Sequence, residues 1–307
     1  MTEIITYNNT DISAEVDVLA ATHETYVGGR QADTLELVFD DDRGLWSKWK
    51  PAVGDTIAYQ NGGAGSGTMF VYEPEITNGL CTIRATSLPK NAKIKRTKSW
   101  EQVYLRQFGA EIAERSGLTF ELQGLENFYY EYMQQVAESD VAFLRRIAEM
   151  EGGGIVIYDK RLIMFKDSEL EGRDAGVQLS TLGGLFESKD KSGELYGAAE
   201  LRSGSYFGRF TADPDNKMIY TPDELIRCTS NAEAYRFAAG ILRTQNKDKM
   251  TAKLTTDLMP EVTAGVMAEL ENTIASGWSG LFFLYRVRHE YHNERTVLYM
   301  RRPLEGY

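Results

Sequence analysis

The chain has 307 residues, 42% of them hydrophobic, and a formal net charge of −11. That length supports two domains or one large one around an ordinary buried core. The acidic balance argues against broad nucleic-acid binding, which needs clustered cations to displace counterions; it suits either simple solubility or the wall of a passage that nucleic acid crosses without sticking. No apolar run approaches a membrane span, and the start MTEIITYNNTDI lacks a basic stretch followed by an apolar one, so neither stable membrane binding nor a secretory signal is expected. Synthesis and folding in the cytoplasm follow, and Cys81 and Cys228 read as reduced core residues.

Residues 1–95 read as β-rich. In DTLELVFDDD, Leu35, Leu37 and Phe39 alternate with polar or outward positions, as on a strand with one face on a core. Gly54-Asp55 turns into a strand at Thr56–Tyr59, and Thr68–Tyr72 and Cys81–Thr86 are two more. Between them NGGAGSG, Asn61–Gly67, reads as a flexible loop. Ser99 with Gln102 predicts a capping box opening a helix from Trp100 to about Ser116, with Leu105, Phe108 and Ile112 as its apolar row and a stop at Gly117.

Gln135–Phe165, QVAESDVAFLRRIAEMEGGGIVIYDKRLIMF, predicts a helix capped by Ser139, a stop at Gly152–Gly154, and a hairpin of Ile155–Tyr158 and Leu162–Phe165 about an Asp159-Lys160-Arg161 turn. Beyond it, Glu187–Glu194 reads as a linker or loop tip and Ala198–Arg209 as strand and turn. Ser230 with Glu233 caps a helix from Ala232 to about Arg243, buried through Ala234, Phe237, Ala238 and Ile241. Lys249–Thr256 and Val266–Leu270 are strands. Leu281–His292 alternates Phe283, Tyr285, Val287, His289 and Tyr291 against Arg286, Arg288, Glu290 and His292, and returns through Asn293-Glu294 as Thr296–Arg301.

No pattern of catalytic or metal-ligating residues emerges. The glycine loop lacks the lysine of a phosphate cradle and leads into a strand, not a helix. In HEYH, His289 and His292 are three apart on a predicted strand and face opposite ways, and His23 is the one further histidine. Asp40-Asp41-Asp42 is too short for a calcium loop and reads as a solvated turn. There is no GxSxG; Ser203-Gly204-Ser205 is a turn. KNAKIKRTKSW, Lys90–Trp100, reads as a solvated basic connector. Catalytic residues, cofactor-binding residues and metal ligands are therefore all expected to be absent.

The motif SDxxFLxRIAExEG followed by an apolar hairpin resembles the baseplate hub proteins of contractile phage tails, including late-control D proteins and the hub part of type VI secretion spike proteins. DTLELVFDDD, KRTKSWEQVYLRQFGAEIAERSGLTFEL, SNAEAYRFAAGILRTQNKDKMTAKLTT, and TAGVMAELE with YRVRHEYHNERTVLYMRR, resemble further pieces in the family's order. The resemblance implies an α+β, predominantly β chain: a tube-like β-barrel domain over 1–95, a helix-containing α/β section over 96–180, and a second tube-like barrel with one packed helix over 181–307. It also implies a homotrimer whose six barrels form a ring around a channel, joining a six-fold tail tube to a three-fold spike. The implied partners are the tail tube or distal tube protein, a central spike protein, a tape-measure protein and baseplate wedge proteins, with DNA only passing through. The implied place is the baseplate of a virion or phage-tail-like particle assembled in the host cytoplasm. No spike or lysozyme-like domain follows Tyr307, so a separate spike chain is expected. The 281–301 hairpin is the expected subunit contact, to be broken by a charge at Val287. The competing readings are a tail-associated cell-wall hydrolase and a carbohydrate-binding β-sandwich with Tyr285 and Tyr291 as a sugar platform.

Overall fold

The computed structural model describes residues 3–28 and 31–307 and is mostly β. Among these residues the α-helices are α1 (Leu45–Trp49), α2 (Leu105–Glu114), α3 (Asp140–Met150), α4 (Asp167–Glu171) and α5 (Asn231–Asn246). The first β unit has six main strands: Glu3–Tyr7, Asp17–Tyr26, Thr34–Asp40, Thr56–Asn61, Met69–Thr77 and Leu80–Thr86. Their lateral order is second, third, sixth, fifth, fourth, first. Leu35, Leu37 and Phe39 are buried against Ala85, Ile83 and Cys81 on the partner strand, as the period-two alternation requires. Asn78 and Gly79, both with positive φ, make the two-residue turn that joins the fifth and sixth strands.

The second β unit also has six strands: Val177–Ser180, Leu185–Asp190, Met250–Asp257, Met267–Glu271, Gly280–Glu290 and Arg295–Arg301. Their lateral order is the same: second, third, sixth, fifth, fourth, first. The equivalence reaches single residues. Reading both units through their pairing with the sixth strand, TLELVFD (Thr34–Asp40) falls on TAKLTTD (Thr251–Asp257), and MFVYEPEIT (Met69–Thr77) on FFLYRVRHE (Phe282–Glu290). Both fifth strands carry a register shift at the same place, Val71/Glu73 and Leu284/Arg286. One difference remains: the first strand pairs antiparallel to the fourth in the first unit and parallel in the second.

The two units join edge to edge. The second half of the second unit's fifth strand, Arg286–Glu290, pairs antiparallel with Thr22–Tyr26, the second strand of the first unit. The result is one 13-stranded sheet, and among the described residues no path of paired strands closes on itself. The two closed tube-like barrels expected from the sequence are thus corrected to two open six-stranded units among the described residues, because neither second strand pairs back to its own first strand: Asp17–Tyr26 pairs with the other unit and Leu185–Asp190 has an open outer edge.

The middle section has its own core, built around Trp100, Phe108, Phe143 and Phe237. Lys95–Tyr104 and Tyr129–Ser139 form a two-stranded ribbon, and Thr119–Gln123 lies parallel to Arg161–Lys166. Residues 192–249, inserted between the second and third strands of the second unit, carry α5 and the hairpin Ala198–Ser203/Tyr206–Thr211 into this same core. The helix expected to pack on the second barrel therefore packs on this hairpin and α3. Gly240 of α5 meets the end of α3 so closely that a Cβ there would lie 2.1 Å from the Met150 carbonyl oxygen.

Several local expectations change. Ser99-Gln102 opens no helix: Lys95–Tyr104 is a strand held by its ribbon partner Tyr129–Ser139, and α2 starts after Tyr104, where Gln107 Oε1 accepts from the Tyr104 backbone N–H at 2.9 Å. Glu187–Glu194 is not a linker, since Leu185–Asp190 pairs with Met250–Thr255. Gly152 alone, with φ 77°, provides the stop after α3, while Gly153 and Gly154 begin the next strand. Ser139 and Ser230 cap α3 and α5 as expected, accepting from Ala142 N at 3.3 Å and Glu233 N at 3.1 Å. The shift at Leu284/Arg286 breaks the alternation of the long strand, so Phe282, Leu284 and Val287 share one core while Phe283 and Tyr285 face another.

Candidate assembly surface

The residues weighed for chemistry take structural places. The Asn61–Gly67 loop is docked, not free: Ala64 N donates to the Pro260 carbonyl at 3.1 Å, Ser66 N to that of Tyr59 at 2.8 Å, and a Cβ at Gly63 would lie 2.4 Å from Glu261 Cα. Its glycines serve close backbone approach. Asp41 is buried and accepts from Trp46 N at 2.8 Å, so the aspartate run caps α1, an element not legible in the sequence. The basic run is a 3-10 turn, Lys90–Lys93, leading into the ribbon. Cys81 and Cys228 are buried, unbridged thiols, each pushed up to about 12 by desolvation.

His289 is buried and His292 exposed, so HEYH does not converge. His289 instead lies opposite His23 across the junction of the two units, with ring centroids 6.4 Å apart. Nε2 of His289 is 2.8 Å from the Val262 carbonyl oxygen and Nδ1 is 3.0 Å from Thr296 Oγ1. Desolvation, followed by the facing His289, holds His23 down to about 3; burial also lowers His289. Both rings are neutral in the folded chain near neutral pH. Among the described residues no group of three or more His, Cys, Asp or Glu side chains is placed to hold a metal ion. Two clefts flank the junction, of about 340 and 460 Å³, and neither is lined by a serine, cysteine or histidine. Tyr291 is buried against Tyr59, with centroids 5.2 Å apart, and Tyr285 is half-buried, so no exposed sugar platform exists there.

The outer face of the junction is ionic. Glu24 receives Arg286 at 3.0 Å and Arg288 at 3.4 Å, and Arg286 also stacks on Tyr299 at 4.3 Å. Val287 is fully buried beneath this layer in the chain's own core. The 281–301 hairpin is hydrogen-bonded on both sides, by Thr22–Tyr26 and by Met250–Asp257, and cannot be the strand edge offered to a second subunit. A second ionic group lies under the middle section. Asp167 and Glu171 of α4, Arg243 and Lys247 at the end of α5, and Arg301 of the last strand are all buried. Lys247 reaches Asp167 at 2.9 Å, Arg301 reaches Glu171 at 2.7 Å, and Arg243 pairs with Glu171. Burial opposes ionisation of Asp167, yet Lys247 and Arg301 hold its carboxyl below the usual range.

Among the described residues, two of the strand edges without a strand partner lie on equivalent elements of the repeat. Along Glu73–Thr77 the edge away from Leu80–Thr86 has no partner, and Arg84 gathers Glu36, Glu73 and Glu75 at 2.6, 3.2 and 3.5 Å beside it. Along Leu185–Asp190 the edge away from Met250–Asp257 is open, with Lys253 on Glu187 at 2.9 Å. Apolar side chains stand exposed on both, Ile76 at 42% and Leu185 at 72%. These exposed edges are surfaces suited to association.

No known family profile matches the chain. The chain is 26% identical over 179 residues to the probable baseplate hub protein of Escherichia phage 186, a match taking in 53% of this chain and 44% of that one. It therefore spans less than half the length of this curated relative. A tail protein of prophage MuSo2 from Shewanella oneidensis has the same fold, with a TM-score of 0.73 at 12% identity over 98% of both chains. A type VI secretion component of E. coli, itself described as structurally similar to the bacteriophage T4 tail proteins gp27 and gp5, superposes with a TM-score of 0.62 at 12% identity over 95% of this chain and 75% of its own. The chain is similar to a phage baseplate hub protein in sequence and to phage tail and type VI secretion proteins in fold, as the Gln135–Phe165 motif anticipates.

Proposed function

We propose that the chain is a structural hub of a contractile tail baseplate: three copies form a ring around a channel and join a six-fold tail tube to a three-fold central spike. The observation that carries this reading is the internal repeat. One polypeptide presents two β units of the same strand order, side by side in one sheet. Three copies then display six similar units, which is how a three-fold body meets a six-fold one. The sequence division into 1–95, 96–180 and 181–307 enters with two changes: Val177–Ser180 goes with the second β unit, and residues 192–249 side with the middle section.

The implied partners are the tail tube or distal tube protein and a central spike protein, with tape-measure and wedge proteins beside them, assembled in the host cytoplasm. DNA passes through and is not held. The free energy of assembly comes from apolar and strand-edge burial between copies. No enzymatic role enters the proposal. Native mass measurement of the purified chain, alone and with its tail neighbours, tests it: a three-copy species is expected. A chain that stays single in all mixtures overturns the reading, and turnover of peptidoglycan by the purified chain would favour the hydrolase.

A further inference from the structure

We infer that neighbouring copies of this chain are joined by antiparallel pairing of Glu73–Thr77 of one copy with Glu187–Lys191 of the next, in the register Glu73 to Lys191, Glu75 to Lys189 and Thr77 to Glu187. The inference rests on the three-copy reading and names the surface that makes it. Its starting point is the strand pairing that joins the two units within the chain, where the fifth strand of the second unit pairs with the second strand of the first, Arg286 opposite Tyr26, Arg288 opposite Glu24 and Glu290 opposite Thr22. The repeat supplies the same two elements once more, each with an outer edge that no strand covers among the described residues: the fifth strand of the first unit along Glu73–Thr77 and the second strand of the second. A head-to-tail contact that joins these reproduces the internal junction between copies.

Residue equivalences fix the register. Through the sixth strands, Glu73, Glu75 and Thr77 stand where Arg286, Arg288 and Glu290 stand. Through the third strands, Glu187, Lys189 and Lys191 stand where Thr22, Glu24 and Tyr26 stand, because Lys189 faces Thr251 as Glu24 faces Thr34. The hydrogen-bonding groups agree with this placement. Thr77 and Leu80 flank a two-residue turn and bond each other, so the backbone groups of Pro74 and Ile76 point outward. Lys191 N is spent on the Lys249 carbonyl at 2.8 Å, so those of Ser188 and Asp190 point outward too. Pro74 lacks an N–H and leaves one rung incomplete, which tolerates this pairing while blunting a slipped one.

Charge provides the independent support. The internal junction puts arginines on the fifth strand and a glutamate on the second. The exposed edges carry the opposite assignment: Glu73 and Glu75 on the fifth strand, Lys189 and Lys191 on the second. Each junction is complementary within itself, and crossing them sets Arg286 and Arg288 against Lys189 and Lys191, or Glu73 and Glu75 against Glu24. The reversal distinguishes the contact inside a chain from the contact between chains.

The test uses the full chain under conditions where the wild type is oligomeric, alone or with its tail neighbours. E73K/E75K alone and K189E/K191E alone are each expected to weaken association about tenfold or more, and the four substitutions together to restore it; loss of the surface pairs of Glu73 and Glu75 with Arg84 and of Lys191 with Glu194 should lower the thermal midpoint of the monomer only slightly. In a second arm, E75C/K189C is expected to give disulfide-linked copies on mild oxidation, while E75C/S188C, one residue out of register and on the opposite face, gives none. Oligomers that persist with charge reversed on either edge, or cross-linking by the shifted pair, overturn the junction and leave the three-copy reading standing. A wild type that never associates overturns both.

Discussion

The two β units are built on one strand order and differ in what lies beside their outward strands. In the second unit the fifth strand is covered: Val287 is fully buried and His289 nearly so, and Arg286 and Arg288 are paired with Glu24. In the first unit the equivalent residues Pro74, Ile76, Glu73 and Glu75 lie on an open edge. Neither the strand nor its bulge distinguishes a core element from a contact element; the neighbour does.

Breaking that contrast gives the largest effects. Val287→Asp places a charge under the internal junction and should destabilise the chain by about 4 kcal/mol, read by thermal or denaturant unfolding of the monomer. Pro74→Asp at the equivalent open position should move the same midpoint by less than about 0.5 kcal/mol. Arg301→Met strands Glu171 and Asp167 without one of their buried cations and should cost about 3 kcal/mol; Thr86→Val, the equivalent residue in the first unit, should cost about 1 or less.

Acid sharpens the contrast more gently. His23 is held near 3 in the folded chain against an ordinary value of 6.5, so the unfolded chain binds the extra proton between these limits. Stability is full above pH 6.5 and falls with decreasing pH through that window, by at most about 1.4 kcal/mol per unit from this group. His23→Gln should flatten the monomer's pH dependence there. The equivalent residues on the open edges, Ser188 and Ile76, do not titrate in that window, so the same substitution should leave the pH dependence of association unchanged. The smallest effect is ionic. Glu24→Gln should weaken the monomer by about 1 kcal/mol, since Glu24 is buried between two arginines; Glu75→Gln on the open side should change it by less than about 0.5.

Where local pattern and tertiary contact agreed, the sequence was readable. Ser139 and Ser230 with their following apolar rows specify α3 and α5, and Leu35, Leu37 and Phe39 specify a one-faced strand. Lys95–Tyr104 was misread because Ser99 and Gln102 look like a cap when the long-range partner Tyr129–Ser139 is not in view. Glu187–Glu194 reads as a linker or loop tip because its first half, Glu187–Asp190, belongs to an outward strand with one partner and carries the polar composition of a linker. The repeat itself was hidden: its units share topology and register, but the charges that could have revealed their likeness are inverted. The absence of a catalytic pattern was an expectation about single motifs, whereas the assembly surface is defined by what two distant segments have in common.

The inserted residues 192–249 change how force moves through the molecule. The polypeptide passes from the first unit to the middle section once, through Ser87–Ile94, but between the middle section and the second unit four times, near 176, 191 and 249 and again after Arg301, where Tyr307 packs on the middle core. Gly240 locks the 192–249 excursion against the end of α3 with no room for a side chain. Load passing along the chain would therefore move the middle section and the second unit as one piece, whereas the first unit is held through its single covalent connection, the Thr22–Tyr26 pairing, the Glu24 layer and the docked Asn61–Gly67 loop.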